Sequence, residues 1–365
     1  MQLLCSVEKF FQDTLKDGGL DLNYCPTGIG SEGFFRDSPE ILEWYKSKGD
    51  EQMIRRNRTV FILVLMACFA LTLSAHAANY KGYPRGDIFI TPQELNQLIE
   101  ANDPKLVVFA VAGRAEFMTG HIPGSFQIWR PDYAAPAETQ GGVIDNVMTE
   151  ADFTELMQGF GVDPDSKVVV YDHKYDATRI WWNFYYFGKT DVRILDGGIK
   201  GWRDAGFRTS MLLGAKPERR GTWKAKIAYP SMSVRTKDIQ VIRHEANCQL
   251  WDNRGDRQFL GETTQKGATR PGRIPEAAQC DWVHFKTKAN DAEWVTADEA
   301  REALNKVGFD PEKHHYFYCQ SGVRTTQMIA TLYALGYPME KMHNYDDSWI
   351  GWSMDESLPA KTGRP

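Results

Sequence analysis

Gly161-Val162-Asp163-Pro164, running on into Lys167-Val168-Val169-Val170-Tyr171-Asp172, returns later in the chain as Gly308-Phe309-Asp310-Pro311, running on into His315-Tyr316-Phe317-Tyr318-Cys319. The spacing from Gly161 to Asp172 equals that from Gly308 to Cys319. Each copy is a β-rich run that ends at a loop, and each loop feeds a helical pattern. Ile180, Trp181, Phe184 and Phe187 mark the first helix; Met328, Ile329, Leu332 and Leu335 mark the second.

The duplication extends outward in both directions. Ile90-Thr91-Pro92-Gln93-Glu94-Leu95 and Leu106-Val107-Val108-Phe109 in the first half answer to Val234-Arg235-Thr236-Lys237-Asp238-Ile239 and Gln249-Leu250-Trp251-Asp252 in the second. Gly120-His121-Ile122-Pro123-Gly124 and Gly272-Arg273-Ile274-Pro275-Glu276 are matching turns stiffened by proline. Gly201-Trp202 and Gly351-Trp352 close the two copies. Alternating apolar strands and amphipathic helices predict an α/β fold: two tandem domains, each a mainly parallel sheet flanked by helices, with ligands at the carboxyl ends of the strands. Cys319 stands at such an end. The stretch from about Ser210 to Ser231 carries Gly214, Pro217, Gly221, Pro230 and a cluster of Lys and Arg with little periodicity. Residues 78–210 are therefore expected to form the first domain, 211–231 a linker and 232–365 the second domain.

A chain of 365 residues with 42% hydrophobic and 12% aromatic content has enough apolar material for two cores. A formal charge of -5 argues against a nucleic-acid partner, which would call for a strongly basic domain. From Met53 the sequence runs through Arg55, Arg56 and Arg58 into an apolar stretch from Val60 to Leu73 and then Ser74-Ala75-His76-Ala77. This is the pattern of a secretory leader cleaved after Ala77, too short in its apolar part for a permanent span. It predicts an exported, periplasmic protein whose translation begins at Met53, with residues 1–52 an extension outside the translated protein. Removal of the leader leaves Cys248, Cys280 and Cys319, an odd number, with no CxxC or HExxH pattern to hold a metal. At least one thiol stays unpaired, and in an oxidising compartment an exposed one is a liability unless it does chemistry.

The segment Tyr316-Phe317-Tyr318-Cys319-Gln320-Ser321-Gly322-Val323-Arg324-Thr325-Thr326 reads as a strand, a short glycine-containing loop and a helix opening at Thr325 or Thr326. A thiolate there would sit over the unpaired N–H groups of the helix start and within an anion nest of the loop, both of which lower a thiol pKa from about 8.5. Cys319 is thus expected to be the exposed, reactive thiol, and Cys248 and Cys280, beside or within strands, to be core.

Cys319-Gln320-Ser321-Gly322-Val323-Arg324 resembles the CxxGxR active-site loop of the rhodanese family, and the duplicated pattern covers residues 80 to 358. Thr178-Arg179-Ile180-Trp181-Trp182, Asp196-Gly197-Gly198 and Tyr345-Asp346-Asp347-Ser348-Trp349 are further matching stretches. The tandem form is similar to thiosulfate and mercaptopyruvate sulfurtransferases, whose first domain is usually catalytically silent; Asp172 stands where that domain's cysteine would be. The resemblance implies that Cys319 takes the outer sulfur of a small-molecule donor such as thiosulfate as a persulfide. A thiophilic acceptor, cyanide or a thiol, then removes it without metal or organic cofactor. Gln320, Ser321, Gly322, Val323 and Thr325 would cradle the substrate. Arg324 and Arg179 would meet its negative charge, Arg179 reaching across the domain interface. Arg324 alternatively braces the loop.

Related loops that bind phosphate carry one more residue between Cys and Arg, so the Cys319 to Arg324 spacing suits a single sulfur. Gln320 and Ser321 match neither donor type fully: Ser321 leans toward mercaptopyruvate, whereas Arg324 resembles single-domain rhodaneses. The first-domain Asp of a mercaptopyruvate relay is replaced near Ala110 although His121 remains, and a second basic residue after Trp182 is replaced by Tyr185 or Tyr186. Thiosulfate or another persulfide donor is therefore the favoured reading. The alternative from another class is a non-catalytic sulfur carrier or docking module presenting Trp181, Trp182, Tyr185 and Tyr186, although aromatics at helical spacing more often form core. His314 and His315 should face opposite sides of a strand, His121 should serve a turn, and Asp252 with Arg254 should brace the active domain, near Gln258.

Overall fold

The computed structural model describes residues 80–365, apart from Lys174, Leu213 and the side chain of Asp291. The extension over 1–52 and the leader over 53–77 lie outside the described residues. Two five-stranded sheets, parallel throughout, follow one plan. In the first half β1 (Phe89–Ile90), β2 (Leu106–Val111), β3 (Phe126–Ile128), β4 (Lys167–Asp172) and β5 (Val192–Leu195) are arranged in the order β1-β5-β4-β2-β3. In the second half β6 (Ser233–Val234), β7 (Cys248–Asp252), β8 (Ala278–Gln279), β11 (His314–Tyr318) and β12 (Met342–Tyr345) take the order β6-β12-β11-β7-β8. A hairpin of β9 (Lys286–Thr287) and β10 (Asn290–Trp294) precedes β11.

The repeat reaches individual polar contacts. The Tyr171 hydroxyl, near the end of β4, accepts from Ile122 N at 2.9 Å, and the Tyr318 hydroxyl, at the end of β11, accepts from Ile274 N at 3.1 Å. Asp196 N donates to Ile90 O and Asp346 N to Val234 O, so the turns after β5 and β12 are tied to the neighbouring strand in the same way. Gly198 and Ser348 take the same left-handed backbone, φ 53° and 50°. At Gly198 this suits a residue without a Cβ; at Ser348 it is a strained choice for a side chain, and its hydroxyl has a use described below.

The helices after β4 (Ala177–Tyr186) and after β11 (Thr325–Ala334) pack against each other, which explains their composition. Every residue of the first is buried, and one apolar core runs from Phe109 and Trp182 in the first half through to Phe317 and Met328 in the second. The aromatics Trp181, Trp182, Tyr185 and Tyr186 are therefore core. Polar contacts cross the same seam: the Thr178 and Thr326 hydroxyls lie 2.8 Å apart, and Gln327 Nε2 donates to Tyr175 O at 2.7 Å.

Residues 211–231, read as a linker, run back along the first half. Thr222 N and Trp223 N donate to Val162 O, Ala228 N donates to Tyr186 O, and Trp223 is buried. The Arg219 and Arg220 side chains pair with Asp163 and Glu155. These two arginines thus fasten the stretch to the domain it leaves. Among the described residues no helix is long and apolar enough to cross a membrane.

Candidate functional site

Cys319 is the first residue beyond β11, and the helix opens at Thr325. Between them the loop turns its carbonyls outward. Gly322, with φ +71°, presents a carbonyl that accepts from Thr325 Oγ1 at 2.8 Å, Arg179 Nη1 at 3.2 Å and Asn344 Nδ2 at 3.2 Å. The carbonyls of Cys319 and Gln320 accept from Trp349 N and Ile350 N, both at 3.1 Å. These are orphan donors of the helix Ser348–Met354, so one helix start fixes the loop's outer face while another faces the sulfur. Cys319 N itself donates to Ser348 Oγ at 3.1 Å, the use to which that strained serine is put.

With its carbonyls tied outward, the loop directs N–H groups inward. Burial alone would raise the Cys319 thiol. The Arg324 charge and hydrogen bonds from the backbone of Thr325, Ser321 and Arg324 outweigh it and hold the thiol below its ordinary value. The other two thiols among the described residues go the other way: burial pushes Cys280 up to about 12 and also raises Cys248. From sequence the reactive thiol should be the exposed one, and the structure shows the reverse. Cys319 is 1% exposed, because the loop closes around the sulfur; the partly exposed thiol is Cys248, at the first position of β7 beside Tyr316 and not in the core. Thiolate stabilisation, not exposure, distinguishes Cys319.

The remaining predicted site residues are each engaged by partners within the protein. Gln320 Nε2 donates to Lys266 O at 3.1 Å and Gln265 O at 3.3 Å, and Ser321 Oγ donates to Asp145 Oδ2 at 2.7 Å. Val323 is buried, and Thr325 Oγ1 also contacts Asn344 Oδ1 at 2.6 Å. Arg324 Nη1 donates to Gln258 Oε1 at 3.0 Å, so it leans on a side chain and not on backbone carbonyls. Arg179 crosses the domain interface as expected, but its guanidinium is engaged there. It pairs with Asp346 at 2.7 Å with both side chains almost fully buried, and it donates to Gly322 O and to Asp145 O at 2.9 Å. Its partners make Arg179 a brace of the loop, since an arginine so placed cannot leave them to meet a ligand without stranding a buried carboxylate.

Other expectations fall on structure. His121 is buried, stacks on Phe117 and has Nδ1 3.1 Å from Phe117 O. His315 accepts from Trp251 Nε1, while His314 on the opposite face lies 3.0 Å from His343 Nε2. Asp252 and Arg254 form a fully buried pair at 2.6 Å, and Arg254 also holds Gly272 O. Two residues at the site were missed by sequence reading. Asp145 lies in an irregular stretch with no periodic signal, and Arg130, 3.6 Å from the Asp145 carboxylate, pairs with Asp176 at 2.5 Å with its guanidinium over the Trp129 and Tyr175 rings. Among the described residues no group of three His, Cys, Asp or Glu side chains is arranged to hold a metal ion.

Two copies of one parallel α/β unit, with a stabilised thiolate at the strand end of the second, define a tandem-domain sulfurtransferase. The chain belongs to the family described as Rhodanese-like domain, whose model matches residues 91–205 and again 236–355. It is 30% identical to the "Sulfur carrier protein TtuD" of Thermus thermophilus over 77% of this chain and 99% of that protein. It is 29% identical to the "3-mercaptopyruvate sulfurtransferase" of Escherichia coli K12, over 67% of this chain and 85% of that one. A 26% match to the "Thiosulfate sulfurtransferase YnjE" of the same organism covers 77% and 66%. A solved structure of an anaerobic ergothioneine biosynthesis enzyme from Chlorobium limicola shares the fold with a TM-score of 0.67 at 23% identity, covering 78% of this chain and 72% of that one.

Proposed function

We propose that this protein moves a sulfane sulfur from thiosulfate or a related donor to a thiophilic acceptor through a persulfide on Cys319. The observation that carries the reading is the contrast among the three thiols of the described residues: of these, only Cys319 is held below the ordinary thiol value, by loop N–H groups and Arg324. The Cys319 thiolate attacks the outer sulfur of the donor, the S–S bond of thiosulfate breaks, and sulfite leaves with the bonding electrons. A cyanide or thiolate acceptor then attacks the terminal sulfur and Cys319 departs as thiolate. The N–H groups that hold the thiolate also suit the persulfide anion.

Two features favour a second donor, 3-mercaptopyruvate: Ser321 in the loop, and a relative of that name matching both halves. The relative named as a sulfur carrier favours a protein acceptor over cyanide in the cell. Export to the periplasm, with cleavage after Ala77, belongs to the same proposal and rests on the leader pattern alone.

Thiocyanate formation from cyanide, measured with thiosulfate and with 3-mercaptopyruvate in parallel, tests the reading. Turnover with thiosulfate exceeding that with mercaptopyruvate is expected, and both should vanish in Cys319→Ser. Faster turnover with mercaptopyruvate would reverse the choice of donor, and turnover surviving in the variant would overturn the site.

A further inference from the structure

Three consecutive residues of the first half, Asp145, Asn146 and Val147, each make a polar contact with the second half, and together they grip both walls of the sulfur site. Asp145 Oδ2 accepts from Ser321 Oγ in the loop at 2.7 Å. Asn146 Nδ2 donates to Asp347 Oδ1 at 3.1 Å, and Val147 N donates to Asp346 Oδ2 at 2.7 Å, in the turn that leads to Ser348 and hence to Cys319 N. The Asp145 carbonyl accepts from Arg179, whose other contacts are Gly322 O and Asp346. This strap is held in its own half by the bridge of Val147 with Ala134 and by Ala135 N donating to Asn146 O at 2.8 Å. Asp145 takes a left-handed backbone, φ +67°, which an aspartate tolerates better than most residues and which allows side chain and carbonyl to serve two partners at once.

We propose that Asp145 is a positioning residue of the sulfur site, contributed by the half that has no thiol. It acts as a hydrogen-bond acceptor that fixes Ser321, and through it the Ser321 N–H that faces the sulfur. Its carboxylate also lies 3.6 Å from the Arg130 guanidinium, which offsets the negative charge, so its part at the sulfur site is to orient the loop. The first domain therefore completes the site mechanically. This inference rests on Cys319 being the reactive thiol, but not on which donor it uses.

The test separates acceptor from charge in the full protein. Thiolate absorbance near 240 nm is titrated for each variant against the same variant carrying Cys319→Ser, and kcat and KM for thiosulfate are measured alongside. Asp145→Ala should move the Cys319 titration to higher pH and lower kcat roughly ten- to a hundred-fold, as loss of fixed geometry does, with KM changed less. Asp145→Asn keeps a carbonyl oxygen for Ser321 and should stay within about threefold of wild type. Ser321→Ala should match Asp145→Ala, and the double variant should be no worse than either. An unchanged titration and kcat in Asp145→Ala overturns the proposal, and so does Asp145→Asn failing as badly as Asp145→Ala. If the wild type takes up no sulfur, the proposed function falls, while the titration, which needs only the thiolate, still decides the role of Asp145.

Discussion

The loops after β4 and β11 start from the same strand end and face the same kind of helix start, yet one holds an aspartate and the other a cysteine. In the first half the Asp172 carboxylate accepts from Ala177 N at 2.5 Å, so the nest is filled by an anion of the chain itself. In the second half the Cys319 sulfur takes that place. Counting from the strand end, Tyr175 and Ala177 stand where Gly322 and Arg324 stand. Gly198 stands where Ser348 supplies the hydroxyl that accepts from Cys319 N, and a Cβ at Gly198 would lie 2.4 Å from Asp172 O. The fold provides an anion site at each strand end. Which side chain occupies it, and whether a cation and a left-handed glycine shape it, decides whether it can do sulfur chemistry.

The largest effect expected is on Asp172→Cys placed in a Cys319→Ser background. Exchanging the anion alone should restore less than about a thousandth of wild-type turnover, because Arg324 and Gly322 have no counterparts in that loop. Restored thiocyanate formation would break the comparison.

Arg179→Ala should come next. It strands Asp346, buried together with Arg179 at the interface, and should cost about 3–5 kcal/mol in urea unfolding. A cost below about 1 kcal/mol would mean that the halves do not need this pair.

A stability effect of similar size is expected between pH 6.5 and 4. His315 and His343 are held neutral by burial, with pKa values pushed down to about 4 from the ordinary 6.5. Groups depressed in the fold bind protons first in the unfolded chain, so stability is full above about pH 6.5 and falls as the pH drops toward 4. Each imidazole loses up to about 3 kcal/mol of support. Both lie in the second half, so the sulfur site should melt first, which the urea midpoint followed by tryptophan fluorescence at stepped pH can check.

The smallest effect sharpens the role of the cation. Arg324→Ala should slow sulfur uptake about tenfold near pH 6 and much less near pH 9, where the thiol ionises without help. A uniform loss at both pH values would point instead to substrate contact.

Much of this was legible before any coordinates. Equal spacing from Gly161 to Asp172 and from Gly308 to Cys319 gave the duplication, and β-rich apolar runs and helical patterns gave the strands and the helix opening at Thr325. Three things were not. The closure of the loop over Cys319 depends on Trp349 N and Ile350 N docking onto its carbonyls, a tertiary contact with no local signature. The occupation of Arg179 by Asp346 joins residues in opposite halves, and a motif shows the arginine without its partner. Asp145 lies between Gly142 and Val147 in chain with no periodicity, and its meaning comes only from Ser321 across the interface. Patterns along the chain reveal elements and nucleophiles; what the two halves do to each other is set by packing.

The central claim is that Cys319, and no other residue, carries the transferred sulfur. Intact mass measured before and after incubation with thiosulfate, followed by peptide mapping, tests it most directly. The account predicts a gain of about 32 Da, one sulfur, on the peptide containing Cys319, lost on adding cyanide and absent in Cys319→Ser. A gain that persists in the variant, or that maps to Cys248 or Cys280, would contradict it.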